Sequence, residues 1–573
     1  MIMKRFINLV FFFMVFLAGG CDKAPSAGTM EEKVLLNQEG YPDECKKYVL
    51  VIGKGEKISV KDNKGNEVLS GIIPKAGYWP FSGDSAAVID FSNIRKVGEY
   101  SIIIDGERLP QKFIVRNGGY SKIVASAIRA FYLNRSGMTI DSSYAGQWAR
   151  LSGHPDTTVI IHESAASKER LEGTVISSPG GWYDAGDYNK YIVNSGITTF
   201  TLLQALDDFT EYYQQLDCNI PESGNKLPDL LDETLYNLRW MLTMQDPNDG
   251  GVYHKLTTKT FEGFVMPHEA TNQRFVVQKG TAATLDFAAV CAKASRVLEP
   301  WKEYLPGLID SCKNQAVYAW QWAVKNPNVT YHQPKDISTG AYDDENLMDE
   351  WYWAACELYL TQKDEPYLAT LIDNYQEQSV PSWGNVGTLG TISLLTSNQS
   401  FPDKLDDLNM EQEFVELVDQ LIERWKKSPF MVSVDHFEWG SNSTVANEGM
   451  LKLIAFKIKG KTEYIESAMS DLDYLLGRNA TGYCFVTGFG QKSVMNIHHR
   501  PSVADEIEVP IPGFLVGGPN TVTFDDCPLA ERSKFPAKSY VDKVCSYSTN
   551  EIAINWNAPL VYLSGGLSTI YEK

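Results

Sequence analysis

Two periodicities divide the chain. From 32 to 116 the apolar positions come in short runs separated by turn residues, at 34–38, 48–52, 58–62, 86–90, 98–104 and 111–115. Ile58-Ser59-Val60-Lys61-Asp62 alternates and leads into an Asn63-Lys64-Gly65 turn, the pattern of a half-buried strand. Short strands at regular intervals predict a β-sandwich over 32–116. After the junction Arg116-Asn117-Gly118-Gly119 the period changes. Ile123, Val124, Ala127, Ile128 and Phe131 form the stripe of an amphipathic helix over 121–135.

Comparable helical stretches are predicted near 194–213, 227–245, 279–299, 306–326, 344–362, 365–378, 384–396, 408–428, 442–460, 461–479 and 550–571. Many helices and few strands predict an all-α second domain. Helices in even number can close as a barrel of hairpins, although no fixed sequence repeat argues for closure. The connections at 138–182, 246–278, 327–343, 429–441 and 480–549 are long, and long ordered loops on a helical scaffold usually carry function.

The chain has 573 residues, enough for two or more domains, and its 43% hydrophobic content suits a large core. A formal charge of −20, spread along the sequence, argues against a nucleic-acid partner and is compatible with a neutral substrate. Lys4 and Arg5, an apolar run to Ala18 and Gly19-Gly20-Cys21 predict a lipoprotein-type signal over 1–21, with Cys21 as the lipidated mature N-terminus. Leu17 stands one position further from the cysteine than in the usual signal. Residues 22–31 read as a tether. Export permits disulfides, but the spacing of the other cysteines designates no pair. Cys291, Cys312 and Cys356 fall in helical runs and read as buried thiols.

Candidate chemistry is densest at Gly180-Gly181-Trp182-Tyr183-Asp184-Ala185-Gly186-Asp187-Tyr188. Two acids three residues apart stand among glycines and aromatic rings. An isolated Asp-x-x-Asp is usually a solvated turn; the aromatic load favours a sugar site, because rings suit the apolar faces of sugars. A partner acid is found in the 480–549 loop and its exit. There Asn496-Ile497-His498-His499-Arg500 is followed by Tyr540-Val541-Asp542 and Tyr547-Ser548-Thr549-Asn550-Glu551-Ile552-Ala553. No nucleophile-elbow serine and no His-Glu-x-x-His appears.

These motifs resemble glycoside hydrolase family 9, the inverting cellulases. Tyr540-x-Asp542, Tyr547, Glu551-x-Ala553 and Asn557-Ala558 match its C-terminal signature; Gly490, Lys492 and Ile497-His498-x-Arg500 match its histidine signature. Cys484 departs from the small hydroxyl residue or valine usual there. Leu476-Gly477-Arg478-Asn479, His254-Lys255 and Phe437-Glu438-Trp439-Gly440 also look like family landmarks.

The resemblance spans roughly 120–570. It implies an immunoglobulin-like sandwich followed, over 120–573, by an (α/α)6 barrel of six helical hairpins with an open cleft. It implies Asp187 as catalytic base, Asp184 as its helper, Glu551 as general acid and Asp542 as holder of the loop or sugar. His498 and Arg500 would bind sugar hydroxyls. Trp182, Tyr183 and Tyr188 are stacking candidates, and His254 and Lys255 weaker substrate contacts. A general acid must stay protonated near working pH. Glu551, at the start of a helix-like run, is therefore expected to titrate above a free glutamate despite the helix dipole.

The resulting expectation is endo-hydrolysis of β-1,4-glucosidic bonds, with inversion, in a cellulose-like, mixed-linkage or xyloglucan chain. The rivals are an exo-acting glucosidase or glucosaminidase on cello- or chito-oligosaccharides, and a non-catalytic glycan-binding surface protein. No organic cofactor is required. Acidic runs such as Asp343-Asp344-Glu345 are candidates for structural Ca2+, without EF-hand spacing. The protein is expected to be an exported monomer, lipid-anchored at a bacterial membrane or cell surface.

Overall fold

The computed structural model describes residues 34–572. The signal, Cys21 and the 22–31 tether lie outside them. Among the described residues no helix is long and apolar enough to cross a membrane.

Strands β1 (Val34–Leu35), β2 (Tyr41–Pro42), β3 (Tyr48–Ile52), β4 (Lys57–Lys61), β5 (Glu67–Ile72), β6 (Gly77–Trp79), β7 (Asp84–Asp90), β8 (Gly98–Ile104) and β9 (Glu107–Arg116) build the N-terminal sandwich. One sheet has the order β1-β3-β7-β6 and the other β2-β9-β8-β4-β5. Alternation sends Ile58 and Val60, then Tyr100, Ile102 and Ile104, then Phe113 and Val115 into the shared core. The pattern marks β1, β3, β4, β7, β8 and the second half of β9. It missed β5, an edge strand exposed along nearly its whole length, so that no buried face imprints a period on it.

Twelve longer helices follow, matching the expected stretches: α1 (Ser121–Leu133), α2 (Ile192–Asp208), α3 (Asp229–Thr243), α4 (Thr281–Val297), α5 (Leu308–Lys325), α6 (Met348–Gln362), α7 (Glu365–Asp373), α8 (Gly387–Thr396), α9 (Met410–Lys427), α10 (Ser441–Lys459), α11 (Thr462–Leu475) and α12 (Ile554–Tyr571). Two types alternate. In α4 every residue but Arg296 is buried, and in α2 everything from Ile192 to Leu206 is. A helix apolar or small all round must be surrounded by protein. By contrast α9 buries only Met410, Phe414, Val418, Leu421, Ile422 and Trp425, one stripe of an outer helix. The even-numbered helices pack in succession: α2 on α4, α4 on α6, α6 on α8, α8 on α10, α10 on α12 and α12 back on α2. The ring of contacts is closed, and the odd-numbered helices lie against it.

The long connections are not purely irregular. They contribute β10 (Val159–Ile161), β11 (Val175–Ile176), β12 (Lys190–Tyr191), β13 (Lys255–Thr257) and β14 (Phe275–Val276), in the sheet order β11-β10-β14-β13-β12. Two-residue strands paired across long separations leave no local signal, so they read as loop in the sequence. Cys291, Cys312 and Cys356 are buried free thiols as expected; Cys527 and Cys545 form a disulfide.

Candidate active site

The chemistry gathers at the N-terminal ends of the inner helices. The Asp184–Asp187 turn leads through β12 into α2; Tyr342 precedes α6; Trp439 precedes α10; Glu551 precedes α12. Gly186 ties these segments together. Its N–H donates to Glu551 Oε1 at 3.2 Å. Its carbonyl accepts from the Arg500 backbone N–H at 3.1 Å and from Arg500 Nη1 at 2.7 Å. A Cβ at this position would stand 2.2 Å from the His498 carbonyl and 3.0 Å from Glu551 Oε1. Only glycine allows that approach.

The two turn acids are both buried, Asp184 at 1% and Asp187 at 5% exposure, yet differently supplied. Asp184 accepts both oxygens' worth of Asn194 Nδ2, at 2.9 and 3.1 Å, and the Tyr342 hydroxyl at 2.9 Å. Burial and the neighbouring Asp187 charge push its carboxyl up to about 8, against the pull of those donors. Asp187 Oδ2 accepts from Asn189 Nδ2 and from the Tyr191 hydroxyl. Its Oδ1 takes no hydrogen bond from the described residues and is available to a water. Asn189 is itself fixed by Thr257 Oγ1 and the Thr258 N–H, both at 3.0 Å, so β13 helps to set the geometry around Asp187.

Glu551 is half-buried and sits in extended backbone between a short helix (Tyr547–Asn550) and Ala553, the cap of α12. It does not occupy the first turn of α12, and this corrects the placement at a helix start. Burial, then the charge of Asp187, holds its carboxyl well above the ordinary range. The direction agrees with the sequence expectation, and the anticipated dipole conflict falls away.

His498 pairs backbone-to-backbone with Glu551 in a parallel bridge, and its Nδ1 bonds the Val544 carbonyl at 2.7 Å. Burial lowers its pKa, so the ring stays neutral. Arg500 is largely buried, with Nε on the Glu262 carbonyl at 2.8 Å, and lies over the rings of Phe261 and Phe264. Asp542 accepts from the Met495 and Asn496 N–H groups and from Asn550 Nδ2 at 3.0 Å. It thereby clips the His498 segment to the Glu551 segment, which fits the loop-holding half of its expected role.

Five expected substrate contacts are corrected. Trp182 is fully buried and donates to Glu233 at 2.6 Å. Tyr183 is fully buried against His154 at 2.8 Å, and Tyr188 donates to the Val265 carbonyl at 2.6 Å. These rings bolt the turn to the scaffold and show no face to a ligand. His254 stacks on Tyr331 and bonds the Ala341 carbonyl; Lys255 binds Gln333, Thr339 and the Gly340 carbonyl. Both are buried and hold the 331–341 loop. The exposed rings are elsewhere: Phe261 and Phe264 near Arg500, and Trp439 and Phe524 beyond Tyr547. Trp439 is in the sequence only a family landmark, and its spacing does not assign it to core or surface. Phe524, Tyr342 and Asn194 had no local signal that separates them from ordinary loop and helix residues. Among the described residues no group of three or more His, Cys, Asp or Glu side chains is arranged to hold a metal ion; Asp343 and Glu345 are exposed ahead of α6.

Residues 120–564 match the family model described as Glycosyl hydrolase family 9. The chain belongs to that family. It is therefore a glycoside hydrolase whose chemistry needs no cofactor. Residues 29–108 match the cellulase N-terminal ig-like domain, in agreement with the sandwich. The chain is 41% identical over 97% of its length to a xyloglucan-specific endo-β-1,4-glucanase of Bacteroides ovatus, covering 96% of that protein. It is 32% identical over 94% of its length to endoglucanase D of Acetivibrio thermocellus, covering 83% of it. A solved Bacteroides ovatus family 9 structure superposes with a TM-score of 0.88 at 40% identity, over 94% of this chain and all of that one.

Proposed function

We propose that this family 9 hydrolase is an endo-acting β-1,4-glucanase that cleaves with inversion and takes xyloglucan among soluble glucans. The observation that carries the reading is the Gly186 contact. It sets a turn carrying a buried acid with an unbonded oxygen directly against a second carboxyl held in its protonated range. Inversion needs that division: one carboxylate activates water and one carboxylic acid protonates the leaving oxygen. Asp187 is the base, and Asp184 sits beside it as a proton-holding neighbour. Glu551 is the acid; its Oε1 is held by Gly186, which leaves Oε2 for the glycosidic oxygen. Arg500 and His498 flank the acid where sugar hydroxyls would lie. The likeness to the Bacteroides ovatus glucanase supports xyloglucan as substrate.

The closed ring of inner helices with outer helices against it supports an (α/α)6 barrel whose mouth is this site. In the same reading the protein is an exported monomer, tethered by lipidated Cys21, with any structural Ca2+ held outside the chemistry. The test is a panel of xyloglucan, mixed-linkage glucan and carboxymethyl cellulose with product sizing over time and NMR of the first-formed anomer. Internal cuts that give α-anomeric products are expected. Initial β-anomers would overturn inversion, and release of one short product from the outset would favour exo action.

A further inference from the structure

Acids alone do not hold a polymer, and beyond Glu551 the site continues into a row of aromatic rings. The Tyr547 ring lies 5.8 Å from the His498 ring. Trp439 is 5.6 Å from Tyr547 and 5.9 Å from Phe524, between ring centroids. Trp439 is 39% and Phe524 62% exposed, so both offer faces to a ligand. An exposed phenylalanine on an irregular loop forgoes burial free energy, and with Trp439 and Tyr547 it forms a contiguous row of rings, the kind of apolar patch that marks a ligand groove.

The loop is nevertheless firmly placed. The Cys527–Cys545 disulfide ties the chain just after Phe524 to the residues just before Ser546 and Tyr547. Asp525, two residues ahead of Cys527, accepts from Ser546 Oγ at 2.7 Å, Ser548 Oγ at 2.9 Å and Arg532 Nη1 at 2.5 Å. The Tyr547 hydroxyl donates to the Phe524 carbonyl. Latch, buried acid and hydroxyl all act on the few residues that present Phe524.

We propose that Phe524, positioned by the Cys527–Cys545 latch, is a specificity-determining wall that stacks on glucosyl units of the bound β-glucan away from the cleaved bond. The occupant is the substrate chain itself, because the wall is continuous through Tyr547 with the His498–Glu551 segment. A sugar ring on an aromatic face gains apolar burial without losing its hydroxyl hydration at the edge. The inference rests on the glucanase reading above.

The test compares kcat and KM on soluble xyloglucan for the full-length protein and its variants. Phe524→Ala should raise KM about 2–10-fold, the equivalent of one aromatic contact, with kcat within about twofold and the melting temperature held. Phe524→Tyr should restore KM. The double variant Cys527→Ser/Cys545→Ser should shift KM the same way by freeing the loop. An active wild type whose KM is unmoved by Phe524→Ala overturns the wall and leaves the glucanase reading intact. A wild type inactive on every glucan overturns both. Equal loss of kcat and melting temperature in Phe524→Ala would mark the ring as merely structural and would also overturn it.

Discussion

At the scale of single residues, the site works by giving similar carboxyls unlike surroundings. As the proposed base Asp187 keeps an oxygen for water, and Asp187→Asn should lower kcat by about 10²–10⁴-fold with KM little changed, as steady-state assays on soluble glucan would register. Glu551 is raised by burial and by Asp187, so the basic limb of kcat/KM against pH should fall well above the ~4.3 of a free glutamate. A limb at the free value would contradict its role as acid. Asp184 has a stability consequence. Its folded pKa of about 8 lies above the unfolded value near 3.8. Its contribution is therefore complete at low pH and is lost as pH rises from about 4 through about 8, while the unfolded chain ionises first. Asp184→Asn should thus raise the melting temperature more at pH 7.5 than at pH 4, a comparison that calorimetry makes directly. These opposed environments were not legible in the chain. The sequence pairs acids by motif, but Asn194, Tyr342 and Gly186 decide which oxygens are free.

At the scale of elements, helices were readable and the small sheet was not. α9 repeats its apolar residues at one-face spacing, and α4 is Ala-rich throughout, so each announces both its type and its depth. β12 and β13 pair Lys190 with Leu256 and Tyr191 with Lys255 across a long stretch of chain, and no window contains both partners. The aromatic residues of the turn were misread for a related reason. Trp182 looks the same in sequence whether it meets a sugar or Glu233. Gly186 is the element-scale prediction. Gly186→Ala forces a methyl onto the His498 carbonyl, which must shift, at a cost of about 1–3 kcal/mol. Activity should fall more steeply than melting temperature, because the displaced carbonyl lies in the segment bridged to Glu551.

At the scale of the whole molecule, the sandwich and the helical part share buried contacts. Asn37, just after β1, donates to Asp473 at 2.9 Å and to the Tyr120 hydroxyl at 3.1 Å, all buried. Gln38 accepts from the Gln491 and Lys492 N–H groups and donates to the Gly482 carbonyl, which places a sandwich residue under the loop that runs on to His498. Trp79 stacks on Phe430 at 4.4 Å. Asn37→Ala leaves a buried carboxyl short of a donor and should cost about 1–3 kcal/mol. Thermal unfolding should show one transition at lower temperature; two separate transitions would mean that the two parts fold independently.

The amino-acid order by itself determined the change of period near residue 119, the succession of twelve helices and the set of acids proposed to serve hydrolysis. These follow from local spacing and from residue type, which a linear chain carries in full. Only the tertiary structure decided that the inner helices close a ring with their N-terminal ends at one mouth. It also decided that Trp182, Tyr183 and Tyr188 face inward, and that Trp439 and Phe524 face out. Burial, hydrogen-bond supply and the shift of an acid's proton affinity are properties of neighbours, and the neighbours of Asp184 and Glu551 come from segments far apart in the chain.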